Sequence, residues 1–118
     1  MTLYGIKNCD SVKRAVKFLK SRNIDFETVD FKMRSVGCET VDRWLRQIPV
    51  EALFNSRSAT YRKLGLKSAD LDEKGRREWL CRENMLIKRP VIECDDGKII
   101  VGFDEELYKE IFNEQHNP

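Results

Sequence analysis

Val12, Ala15, Val16 and Leu19 recur at i, i+3, i+4 and i+7, the spacing that lays apolar side chains along one face of a helix. The segment before them, "MTLYGI", reads as a short buried strand, and "IDFETVDF" (24–31), rich in β-branched and aromatic residues, reads as another. Arg22 and Asn23 supply the short linker. A strand, a helix and a strand in that order form a crossover, so the two strands are expected to run parallel. Asn8 stands where an N-cap is expected, and Cys9 falls at the turn from strand to helix.

Residues 36–86 have a different texture. Val41, Trp44, Leu45 and Ile48 again keep helical spacing, with Thr40 as the expected cap and Pro49 as the stop. A further helix is expected around Trp79 and Leu80. In "RPVIECDDGKIIVGF" two apolar runs flank Asp96-Gly97, a pair favoured in tight hairpin turns, so this pairing should be antiparallel. Leu107, Tyr108, Ile111 and Phe112 then form a helical stripe after Asp104, and the polar "NEQHNP" is expected to fray.

The order is therefore β-α-β, a helical region, then β-β-α. Its economical closure is one α/β domain over residues 1–118, with a mixed four-stranded sheet covered by helices. The core takes about residues 1–35 and 87–114, and residues 36–86 are a helical insertion.

Charge narrows the function classes only slightly. Lys and Arg total 22 against 20 Asp and Glu, a net +2 that creates no field arguing for nucleic acid. The short basic runs "YRKLGLK" and "KGRR" read as solvated faces, so direct nucleic-acid binding is not expected. The N-terminus lacks the charged start and apolar stretch of a signal peptide, no run approaches a membrane span, and a cytoplasmic location is expected. Four widely separated cysteines and one histidine, His116, offer no metal-ligand spacing. In a reducing compartment all four cysteines are expected as free thiols. Cys38 reads as an incidental surface residue, and Cys81, Cys94, Trp44 and Trp79 read as packing residues.

Cys9 is the candidate for chemistry. First-turn amides carry partial positive charge, so a thiol placed there gains from ionising. Lys7, Lys13 and Arg14 add to that effect; Asp10 and burial oppose it. On this reading alone, a reactive Cys9 and a packed structural one remain equally open.

"LYGIKNCDSVKRA", "NSRSATYRKLG" and "IKRPVI" together resemble the ArsC-like branch of the thioredoxin superfamily, which holds glutaredoxin-coupled arsenate reductases, Spx regulators and small thiol reductases. The resemblance spans about residues 2–112 and implies a thioredoxin-like fold whose Pro90 is preceded by a cis bond. It implies Cys9 as nucleophile, with Lys7, Asn8, Arg57, Arg89 and Pro90 holding substrate or glutathione. Arginine suits that task because its planar fork binds carboxylates and oxyanions at two points. The implied chemistry needs no bound cofactor; glutathione is the co-substrate, glutaredoxin a candidate partner, and a disulfide or small oxyanion the substrate.

Departures from the arsenate-reductase pattern are specific. The histidine four residues before the cysteine is Gly5 here, one arginine position falls on Asn55, and a late arginine falls on Gly102. Against the Spx pattern, Val12 removes the second cysteine of the C-x-x-C switch. The expectation is a glutathione-dependent monothiol reductase of the small thiol-reductase kind. The alternative is a Spx-like module that contacts an RNA polymerase subunit.

Overall fold

Strand β1 (Thr2–Gly5) buries Leu3 and Gly5 on one face and turns Tyr4 to the other, as a period of two requires. In this computed structural model, which describes residues 1–116, β1 lies inside a mixed sheet of order β2-β1-β3-β4. Helix α1 (Asp10–Ser21) carries the chain over to β2 (Glu27–Asp30), parallel to β1 with Leu3 opposite Thr28. Strand β3 (Val91–Glu93) runs antiparallel on the other side, Leu3 opposite Ile92, and β4 (Ile99–Val101) closes the hairpin.

One face of the sheet is covered by α1 and α6 (Glu105–His116). Their core joins Leu3, Ile92 and Ile100 to Val12, Ala15, Phe18, Leu19, Tyr108 and Phe112. Phe18 meets Tyr108 edge-on, with ring centroids 5.6 Å apart, and the buried Tyr108 hydroxyl donates to the Gly102 carbonyl at 2.6 Å. The opposite face carries the insertion: α2 (Cys38–Leu45), α3 (Val50–Leu53), α4 (Ala59–Lys63) and α5 (Glu73–Arg82). Trp44, fully buried, stands edge-on to Tyr4 at 5.0 Å.

Polar bonds key this layer to the sheet. Glu93 on β3 accepts from the Arg43 guanidinium at 2.6 Å and from the Trp44 indole at 2.9 Å. Burial pushes the Glu93 carboxyl up, but those donors outweigh it and hold the group below the usual carboxylate range. The Gln47 amide straddles the hairpin, donating to the Gly97 carbonyl and accepting from the Ile99 amide.

Several expectations need correction. Cys9 itself, not Asn8, occupies the N-cap of α1, and α2 starts at Cys38 with Gly37 as its cap rather than Thr40. The apolar face of α1 turns toward Phe18, which is buried, while Val16 is half-buried; on α6, Leu107 is 41% exposed. Strand β2 is shorter than 24–31 because the chain is still closing α1 at Ile24, whose amide donates to the Leu19 carbonyl. The hairpin loop has three residues, Asp95 to Gly97: the Gly97 amide donates to the Cys94 carbonyl, the Cys94 amide to the Lys98 carbonyl, and Gly97 takes the left-handed position at φ +90°.

The largest correction concerns the cysteines. Cys38 and Cys81 form a disulfide, leaving Cys9 and Cys94 as thiols. Packing of α2 on α5 brings their Cα atoms within 4.8 Å across a sequence separation of 43, which hides the pair from spacing. The frayed tail expected over 113–118 meets a helix whose backbone runs through His116; the side chains of 113–116 and all of 117–118 lie outside the described residues. No helix among the described residues is long and apolar enough to cross a membrane.

Candidate active site

Cys9 is half-buried in extended conformation (φ −133°, ψ 121°), and its carbonyl accepts the first bond of α1 from the Lys13 amide at 3.0 Å. Its side chain caps none of the first-turn amides. Those donors face outward from the helix start, where an anion is favoured. Lys7 and Asn8, both exposed, lead from β1 to the cysteine. Asp10 is also exposed and places the opposing charge in the first turn.

The sheet brings Pro90 to this end of β1. Tyr4 pairs with Val91, so Pro90 follows on the side of Gly5, and the Arg89–Pro90 bond is cis. The Pro90 carbonyl accepts from the Gly102 amide at 2.8 Å, tying the loop to the end of β4.

Arg89 is half-buried and held by one edge: Nη1 donates to the Met85 carbonyl at 2.9 Å and reaches the Ile87 carbonyl at 3.4 Å. Its Nε is buried with no hydrogen-bond partner. A buried donor without an acceptor costs free energy, which an anionic ligand seated there would offset. Arg57 is exposed; its amide donates to the Asn55 side chain and its carbonyl accepts from Arg62. Its loop nevertheless lies beside that of Arg89. The Asn55 amide donates to the Leu86 carbonyl, the Lys88 amide to the Leu53 carbonyl, and Phe54 bridges Ile87 between them. Thus Lys7, Asn8 and Cys9 follow the end of β1 at which the register sets Pro90, Arg89 precedes that proline, and Arg57 lies on the neighbouring segment.

Two of the departures, Gly5 and Gly102, have physical causes. A Cβ on Gly5 would fall 2.6 Å from Cγ2 of Val12, so glycine is what the α1 contact allows. Gly102 sits at φ +80°, a conformation that strains any side chain. Cys94 is no rival nucleophile, because burial, with Asp96 nearby, pushes its thiol up to about 11. Among the described residues no three His, Cys, Asp or Glu side chains gather as a metal site.

The parallel crossover, the antiparallel hairpin and a cysteine at the N-cap position of the helix that follows β1 place the protein in the thioredoxin-like class. Within that class, the chain belongs to the ArsC family, whose sequence profile matches residues 4–111.

An uncharacterised protein of Haemophilus influenzae is 36% identical over 113 residues, covering 95% of this chain and 98% of its own. Among solved structures, an arsenate reductase (ArsC) related protein from Brucella melitensis is 40% identical, with a TM-score of 0.72 and coverage of 94% of this chain and 92% of its own. A YffB protein superposes with a TM-score of 0.82 at 32% identity, covering 92% of this chain and 96% of its own. The global transcriptional regulator Spx of Lactiplantibacillus plantarum is 23% identical over 88% of this chain and 80% of its own.

Proposed function

We propose that the protein is a glutathione-dependent monothiol reductase acting through Cys9 in the cytoplasm. The observation that carries this reading is the buried, unpartnered Nε of Arg89 in the loop that the sheet sets against the end of β1. Arg89 receives a carboxylate or small oxyanion there, Arg57 and Lys7 add positive charge at the rim, and Asn8 and Pro90 line the approach.

With a disulfide substrate, the Cys9 thiolate attacks one sulfur, the other leaves as a thiolate, and a Cys9 mixed disulfide remains. Glutathione attacks that bond, releasing Cys9 and the second half of the substrate as a mixed disulfide with glutathione, which glutaredoxin and further glutathione reduce. An external thiol is required because the position three residues on is Val12. The glycines at 5 and 102 favour this substrate over arsenate, since the histidine and arginine of that chemistry have no place here.

The test is the alkylation rate of Cys9 against pH, resolved by mass spectrometry, with and without glutathione or arsenate. Enhanced reactivity at neutral pH with protection by glutathione is the expected result, together with complete loss of turnover in Cys9→Ser. Turnover retained in that variant overturns the reading. The Spx relatives favour one alternative, a module contacting an RNA polymerase subunit. Stoichiometric binding of that subunit by an unreactive Cys9 protein is its signature.

A further inference from the structure

Cys38 opens α2, Cys81 is the penultimate residue of α5, and both are half-buried. Their bridge is the middle of three ties between the same two segments. On one side, Asp42 accepts from Arg77 Nε and Nη2 at 2.9 and 2.7 Å. On the other, the buried Asn84 side chain accepts from the Val36 amide at 2.7 Å, donates to the Val36 carbonyl at 3.0 Å, and donates to the Leu80 carbonyl at 3.1 Å. Asn84 begins a short 3-10 turn, Asn84–Leu86, and Met85 within that turn supplies the carbonyl that holds Arg89. Only Arg82 and Glu83 therefore separate Cys81 from the turn that positions the Arg89 guanidinium.

We propose that Cys38–Cys81 is a second thiol-exchange site, a redox latch whose reduction loosens the Asn84 turn and releases Arg89 from the Met85 carbonyl. The proposal rests on the reductase reading only where it gives Arg89 a ligand. A thiolate of an external dithiol attacks one sulfur of the bridge; the S–S bond breaks and the displaced cysteine takes a proton. The second thiol of the reductant then attacks the mixed disulfide, frees the other cysteine and leaves as a disulfide. Two electrons and two protons pass to the protein. A dithiol suits this site better than a monothiol, because the packed helices hold the displaced cysteine beside the mixed disulfide, where it recloses before a second monothiol arrives.

Peptide mapping of the aerobically purified protein under non-reducing conditions comes first, followed by amide hydrogen exchange in a Cys9→Ser background, oxidised and after dithiothreitol. The expected result is a Cys38–Cys81 peptide and a loss of protection at Asn84 to Ile87 of about tenfold on reduction, with α1 amides unchanged as the sign of an intact fold. The Cys38→Ser/Cys81→Ser double variant should show the low protection in both conditions. Free thiols at both positions after purification, or equal protection in the two states, overturns the latch. Glutathione titration of both states separates the two ideas: a changed turn with no glutathione binding in either state leaves the latch standing and counts against the reductase.

Discussion

The two faces of the sheet are closed by different means. Over one, α1 and α6 pack an apolar core whose aromatic rings, Phe18, Phe103, Tyr108 and Phe112, interlock at 4.8–6.5 Å. Over the other, an apolar core around Trp44, Leu53 and Leu80 is supplemented by the Glu93 and Gln47 bonds, the Asn84 clasp, the Asp42–Arg77 pair and a disulfide. Helices of 12 residues present a long stripe that locates itself by burial. The insertion is built from helices of 8, 4, 5 and 10 residues, each too short to be stable alone, so directed bonds fix where they sit.

Four substitutions probe that contrast. The largest effect belongs to the apolar face: Phe112→Ala should lower stability by about 3–5 kcal/mol in urea unfolding, equally with and without reductant. Cys81→Ser should cost about 2–4 kcal/mol under oxidising conditions, by releasing the loop that the bridge closes in the unfolded chain. Added dithiothreitol should bring wild type down to the variant; a persistent gap in reductant assigns the loss to packing instead.

Glu93→Gln should cost about 1–2 kcal/mol, since the charge that Arg43 and Trp44 address is removed. Its pH dependence is the sharper readout. The folded carboxyl titrates below its ordinary value of 4.5, so the unfolded chain takes up the proton first and its stabilisation is lost as pH falls through that range and below. Unfolding midpoints measured from neutral pH downward should fall less steeply in Glu93→Gln than in wild type. Smallest of all, Arg77→Ala should lower stability only slightly, because both members of its ion pair are more than a third exposed and solvent screens them. A larger loss there would mean that the pair and the adjacent bridge act as one unit.

The same contrast explains what could be read from the sequence. Order, strand directions and the α1 and α6 faces were legible because Val12, Ala15 and Leu19, or Tyr108 and Phe112, declare burial through local periodicity. Cys9 was legible as a strand-to-helix cysteine, and Arg89 and Arg57 only through the motifs that resemble the family. The Cys38–Cys81 bridge and the Asn84 clasp were not, since each joins positions more than forty residues apart that share no period. Nor does periodicity distinguish Asn8 from Cys9 as the cap, a difference of one residue decided by backbone dihedrals.

Gly5 and Val12 lie so close that a Cβ at the first would press on a methyl of the second. They are also two of the positions at which the chain departs from the arsenate-reductase and Spx patterns, Gly5 from the first and Val12 from the second. The contact constrains the two unequally. A side chain at position 5 requires the Val12 methyl to shift or be lost, whereas replacing Val12 with the smaller cysteine asks nothing of Gly5. From this chain a second cysteine at position 12 lies one substitution away, while a histidine at position 5 also asks room of Val12.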